Sequence, residues 1–384
     1  MFRMVVGHGA DVDAGDALAD ALDQCARELG DDAPKGGFLF STHEADPAGL
    51  IAAVLDVYPD VELIGSTSAA EMSSVLGFQE GSVMLALFST DSVDITAGLG
   101  VGLHTDPRGA ARDAVKEARG KTDRQPKLCV TMPAIDADTG ALFTALRAEL
   151  GDGVGVLGGG SSATMGDTGG ARQFCNDRIV ADGVPVLLFS GALAYSFGVE
   201  TGWRPVGKRA KVTLASGNLV QEIDGRPAVE FYERYLGAGA EPAPANPLAV
   251  FDEGSEDFYL RVAASYDAAT GAITVWGGLP QDATVQLTVA MTEEIFDGAK
   301  AAVQKAQKAF PAGSDPEAAL LVSCVIRKLV LGTRTGTEIE IARTELGGAM
   351  PICGFYSFGE IAPMNSGLTR LHHEAMVAVL LGTA

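Results

Sequence analysis

Within the stretch 323–382 the chain gathers Arg327, Tyr356, Glu360 and His372, side chains able to grip or exchange charge. Arg327 follows the apolar run Leu320–Val325 and offers a planar fork suited to a bidentate hold on a ligand carboxylate. Turned inward, the same guanidinium would meet Glu338, Glu340 or Glu360. His372 and His373 adjoin another strongly apolar run, Met376–Leu381. An imidazole there can ligate a metal or haem iron through one nitrogen while Glu360 or Glu374 orients the other, with Tyr356 and Met376 in the pocket wall. A core-edge histidine satisfied by backbone is the competing reading, and residue chemistry alone favours it. His8, His43 and His104 read as polar residues at strand ends.

Three small-residue stretches form a second set of candidates: Gly65–Glu71, Gly158–Ala163 and Gly354–Glu360. Read as loops that follow strands, they would offer Ser66, Thr67, Ser161 and Ser162, together with Glu360, at the strand carboxyl ends where α/β sheets bind ligands. Turn chemistry alone would also account for glycine and serine there. The run Gly158-Gly159-Gly160-Ser161-Ser162 lacks the Gly-Lys-Ser/Thr of a phosphate cradle. No GxSxG, HExxH or His/Cys pair at metal spacing is present, and no base partner for a serine nucleophile is recognisable, so a hydrolase or transferase ranks last.

The elements that must position these residues repeat. Segments 37–89, 127–191 and 318–382 each read as strand, helix, short strand, small-residue loop, strand, and each has a further strand and helix before it. The predicted helices are Asp16–Leu29, Pro107–Arg119, Ala141–Leu150, Glu294–Phe310 and Glu338–Leu346. The leading strands are Arg3–Gly7, Ile95–Gly102 and Val285–Met291. Alternation of strand and helix predicts an α/β fold of repeated strand-helix units forming helix-covered mixed sheets, largely parallel within each unit, in two domains with internal pseudo-repeats. Between the second and third copies, Lys211–Leu214 with Leu219–Ile223, and Tyr259–Ser265 with Ala272–Trp276, read as hairpins, and Ala228–Leu236 as a helix. The Gly, Ala and Pro-rich stretch 238–247 reads as a linker, dividing 1–237 from 248–384.

A chain of 384 residues, 47% hydrophobic, is long enough to bury cores for two or three domains. Its formal charge of −22 repels nucleic acid and anionic membranes. No apolar run reaches the roughly 18 residues of a membrane span and no signal peptide is evident, so a cytoplasmic location is expected. The 5 cysteines are scattered and odd in number, which suits reduced thiols.

Taken together, Leu63–Glu71, Gly158–Ala163, Gly202–Gly207, Ser323–Arg327 and Gly354–Pro363 resemble the FIST proteins, sensory modules named for F-box and intracellular signal-transduction proteins. The resemblance covers nearly the whole length and implies a FIST N-like half followed by a FIST C-like half. Ser323–Gly332 and Leu371-His372 are similar to the haem-binding, nitric-oxide-sensing branch, although His373-Glu374-Ala375 replaces that branch's Asn-Gln-Thr before Met376. The implied function is a non-enzymatic sensor. Two ligands follow from the resemblance: nitric oxide on haem held by His372, or an amino acid or related carboxylate gripped by Arg327 and the Ser/Thr loops. The implied partner is a separate signalling protein such as a histidine kinase, and a homodimer is possible.

Overall fold

The computed structural model describes residues 2–135, 137–163, 169–252 and 254–384. The first unit comprises β1 (Phe2–Gly9), α1 (Ala14–Leu29), β2 (Gly36–Thr42), α2 (Pro47–Val57), β3 (Glu62–Ser68), β4 (Glu71–Ser73), β5 (Gly77–Gln79) and β6 (Val83–Thr90). The second repeats that order in β7 (Val93–Val101), α3 (Pro107–Arg119), β8 (Pro126–Thr131), α4 (Thr139–Leu150), β9 (Gly155–Gly159), β10 (Gln173–Cys175), β11 (Arg178–Val180) and β12 (Gly183–Gly191). The third opens with β13 (Leu193–Glu200) and is then interrupted by an insertion. The insertion holds β14 (Arg204–Ser216), β15 (Leu219–Ile223), β16 (Arg226–Pro227), α5 (Ala228–Leu236), β17 (Leu248–Phe251), β18 (Phe258–Arg261), β19 (Ala263–Tyr266), β20 (Ile273–Val275) and β21 (Thr284–Val289). The unit resumes with α6 (Thr292–Ala309), β22 (Ala318–Cys324), α7 (Val325–Leu331), α8 (Thr337–Glu345), β23 (Ile352–Ser357), β24 (Glu360–Pro363), β25 (Thr369–His372) and β26 (Met376–Thr383).

The three units form three six-stranded sheets, and each sheet borrows its last two strands from a neighbour. Their orders are β1-β6-β2-β3-β10-β11, β7-β12-β8-β9-β24-β25 and β13-β26-β22-β23-β4-β5. The loan is cyclic: the first unit lends to the third, the second to the first, and the third to the second. Parallel pairing was expected to dominate, but within the units it is confined to β2 with β3, β8 with β9 and β22 with β23. The last strand of each unit runs antiparallel between the first two, and the lent hairpins are antiparallel as well.

Both faces of each sheet are buried, so the strands read as nearly continuous apolar runs. In β2, Phe38 and Phe40 face a shared central core while Leu39 faces α1 and α2, the period-2 alternation of a pleated strand. That central core draws side chains from all three sheets. Phe88 packs edge-on against Phe38 and Phe189, and Phe40 stacks on Phe355 with centroids 4.4 Å apart. Helices α1 and α2, α3 and α4, and α6 and α8 cover the three outer faces. The result is a three-sided prism with a greasy axis and a helical skin.

The strand expected at Val285–Met291 exists as β21, but it belongs to the insertion and pairs with β14 and β17. The leading strand of the third unit is β13, which sequence reading passed over. Residues 238–247 hold neither helix nor strand, as a linker should, and lie inside the insertion. Its sheet has eight strands and encloses its own core around Phe231, Tyr232 and Leu287.

Candidate functional site

Arg327 is not at a strand end. The strand stops at Cys324, and Arg327 sits in the first turn of α7 with no exposed surface. Its Nε and Nη2 donate to Glu338 Oε1 at 2.8 and 2.6 Å. The rest of the fork donates to backbone carbonyls of Thr201, Ile295 and Glu374. Glu338 is buried too, and its Oε2 accepts from Ser323 Oγ at 3.0 Å and Tyr356 Oη at 2.8 Å. Every donor of the guanidinium is therefore spent inside the protein, and the inward alternative holds in place of a ligand grip. Tyr356 is tied to the same cluster, and Met376 packs beside it in the core beneath α6 and α8.

The small-residue stretches open inside the third strand of each unit, with Gly65–Ser68 in β3, Gly158 and Gly159 in β9 and Gly354–Ser357 in β23, and 69–70, 160–163 and 358–359 follow outside any strand where the three sheets meet. Around the axis, Ala69 N donates to Tyr356 O, Ser162 N to Thr67 O and Phe358 N to Gly160 O, a cyclic set at 3.2, 3.0 and 3.4 Å. Ser68, Ser161 and Ser357 occupy equivalent places, and each bonds the residue that starts its unit's lent hairpin. Ser68 Oγ donates to Glu71, Gln173 Nε2 donates to Ser161 Oγ at 2.7 Å, and Ser357 Oγ donates to Glu360 at 2.8 Å. Thr67 Oγ1 accepts from Arg172 N, Ser162 Oγ donates to Tyr356 O, and Ser66 is buried with its hydroxyl unpartnered. These residues brace the prism axis. Burial pushes Glu71 up to about 7 despite its serine donors, and Glu360 up to about 8.

The two neighbouring histidines part company. His372 ends β25 and its Nε2 lies 3.1 Å from Ala362 O. Burial holds it down to about 4, so the neutral ring donates to that carbonyl. His373 comes after the strand, is 1% exposed, and has a hydrogen-bond partner on neither ring nitrogen. Burial, and then the charge of Arg261, keep it neutral. His373 lines a cleft of about 1170 Å³, whereas His372, Arg327 and Tyr356 do not line it.

The cleft lies where three parts of the fold meet. One wall is the start of α4 from the second unit, with Phe143 and Arg147; another is the insertion, with Tyr259, Arg261 and Trp276. The third unit closes it through Val325, Phe358, Arg370, Leu371 and His373. Among the described residues Asp138 is its one carboxylate, and it caps α4 by accepting from Ala141 N at 2.9 Å. Arg261 is 5% exposed and lies over the Tyr259 ring with Cζ 4.4 Å from the centroid. It donates to the carbonyls of Gly278, Leu260 and Leu371 at 2.8 to 2.9 Å. No carboxylate of a described residue pairs with it, and Nη2 holds no hydrogen bond to one. Burial depresses it to about 10. Gly277, at φ +76°, leaves the gap open: a Cβ there would stand 3.2 Å from His373 Cε1 and 3.3 Å from Arg261 Cζ.

Arg261 and Trp276 were read only as parts of a hairpin. The available signal was an arginine within an apolar strand, followed by the Gly277-Gly278 pair where a strand should have turned. His373 was considered, but its neighbour was chosen. Glu374 was considered only as an orienting carboxylate. It is fully buried at φ +56° with both carboxyl oxygens unpartnered, and burial raises it well above the usual range.

An uncharacterized protein of Mycobacterium tuberculosis, Rv0628c, is 30% identical over 230 residues, which is 57% of this chain and 57% of that protein. The match thus spans little more than half the length of that relative. The uncharacterized protein Mb0898c of Mycobacterium bovis is 26% identical over 400 aligned positions, covering 96% of each chain. Among solved structures, cyanuric acid hydrolase aligns over 100% of both chains at 9% identity with a TM-score of 0.36, too low to carry an argument. Residues 35–226 match the FIST N domain and residues 228–363 the FIST C domain, so the chain belongs to the FIST family.

Proposed function

We propose that this chain is a sensory protein that binds a small organic ligand in the cleft between α4, the insertion and the third unit, and does so without chemical turnover. A sensory role is the one its paired FIST domains suggest. The observation that carries the cleft assignment is His373, a buried imidazole with no internal partner for either nitrogen in the wall of a large concavity. Buried polar groups in native folds are nearly always satisfied, so an unpaired one facing a cleft marks a place for a guest. The one thiol among the described lining residues is a poor nucleophile: burial pushes Cys324 well above its usual value, with Glu360 and Glu374 adding to the rise.

The walls belong to different parts of the fold, so a ligand that prefers one arrangement of them shifts the balance between arrangements. A separate signalling protein, with a histidine kinase as the expectation from the family, would read that shift. The test is equilibrium dialysis of the full-length protein against a cellular small-molecule extract, with mass spectrometry of what is retained. The exposed lining residues Thr144 and Ala264 allow Thr144→Trp and Ala264→Trp to plug the cleft from opposite walls. A retained compound lost in both variants supports the reading, and retention of nothing by the parent protein sinks it.

Haem is the second reading, and the same free imidazole favours it. His372 does not fit, because its Nε2 is held by Ala362 O. His373 would hold the iron, with Arg261 available to a propionate, and the group would supply binding of a diatomic gas. Protein expressed with haem supply should then show a Soret band that His373→Ala abolishes and His372→Ala leaves. A colourless protein removes this reading and leaves the first.

A further inference from the structure

The chemistry of the ligand can be read from what the cleft already holds. Resting on the sensory reading above, we infer that the cleft takes an organic carboxylate with an aromatic or otherwise apolar body and no ammonium group. The carboxylate is assigned to Arg261. A buried cation with no counter-ion among the described residues is costly unless something supplies one, and the guanidinium keeps Nη2 uncommitted for an acceptor. Arg147 and Arg370 are paired with Asp152 and Asp252, which leaves Arg261 as the lining cation without a carboxylate partner among the described residues. In a chain of formal charge −22, that one unpaired cation favours an anion at the site.

The neutral ring of His373 adds one donor and one acceptor beside Arg261. An oxo or hydroxy group next to the carboxylate would meet it. The apolar body is assigned to Trp276, Phe143, Phe358 and Leu371, which supply flat surface around the charged end. The exclusion of an ammonium group follows from the acids. Asp138 lies exposed at the rim and is engaged in capping α4, and no other described carboxylate lines the cleft. An α-amino acid would bring its cation among arginines.

Phenylpyruvate and phenylalanine share a skeleton and differ at that one group, so they make the probe pair. Trp276, partly exposed and in the lining, reports occupancy by fluorescence, while Trp203 is buried with Nε1 bonded to Ala245 O. Expected for the full-length protein is quenching by phenylpyruvate that Trp276→Phe removes, with phenylalanine binding at least about tenfold more weakly. Arg261→Met should weaken phenylpyruvate about thirtyfold. Should that variant not fold, His373→Leu should weaken it about tenfold, with circular dichroism confirming its structure. The inference is overturned if phenylalanine binds as tightly, if neither compound binds, or if a folded variant at either position binds phenylpyruvate unchanged. If it is overturned while dialysis still retains a compound that the plugging variants lose, only the ligand class is wrong. If dialysis also retains nothing, the sensory reading falls with it.

Discussion

Arg327 and Glu338 form an ion pair with no exposed surface on either side chain. Removing one partner strands the other as a buried charge, which typically costs about 3–5 kcal/mol. Arg327→Met and Glu338→Leu should each lower the urea midpoint accordingly, whereas the double replacement should lose less than the sum. Tyr356→Phe removes one donor to Glu338 and should cost about 1 kcal/mol. Glu71 and Glu360 make stability depend on pH. Their folded values, about 7 and about 8, lie above the ordinary 4.5, so the folded chain holds protons that the unfolded chain has released. That contribution is full below 4.5 and is lost as pH rises through 7 and then 8. His8 and His372, held near 4, act with the opposite sign: their contribution is present above 6.5 and lost as pH falls through 4. Below pH 6.5 the two effects oppose each other, so denaturation midpoints should fall between pH 6.5 and pH 8, and Glu71→Gln with Glu360→Gln should flatten that decline. Gln173 already fills the third equivalent position, so the amide suits the site. At this scale the inward pairing of Arg327 was legible as one of two options. The choice between His372 and His373 was not, because consecutive residues at a strand end point differently and only register tells which faces the cleft.

Helices were the most legible elements. Pro107–Arg119 and Ala228–Leu236 occur with the bounds read from sequence. Aspartates at 13, 46, 106 and 138 cap four of the helices and give the amphipathic pattern clear starts. The small-residue stretches were read wholly as loops, although Gly65–Ser68 and Gly354–Ser357 are strand, because glycine and serine signal turns when burial is unknown. In the prism they let strands approach closely. A Cβ on Gly65 would stand 1.9 Å from Leu39 O in the neighbouring strand. Gly65→Ala should therefore force β2 and β3 apart and cost about 3 kcal/mol, measured as a lowered thermal midpoint. The lent hairpins were not legible either, since strands of three or four residues carry too little pattern to reveal a partner far away in sequence.

For the whole molecule, the fold class could be read from alternating strands and helices, but the interlocking could not. No described helix is long and apolar enough to cross a membrane. Strands β4, β5 and β13 from the FIST N side complete the sheet of the third unit, and β24 and β25 return the loan. Residues 1–227 and 228–384 expressed apart should accordingly fail to fold. The intact chain should lose its prism in one transition, with near- and far-ultraviolet circular dichroism coincident on urea titration. A stable, well-dispersed fragment spectrum would contradict this. The ribbon formed by β24 and β25 is rooted in the third unit, yet it is hydrogen-bonded to β9 in the second, and it carries Thr369, Arg370 and Leu371 into the cleft wall. A guest pressing on that ribbon pulls on two corners of the prism at once, and because each corner is stitched to the next, the strain has no free end at which to dissipate.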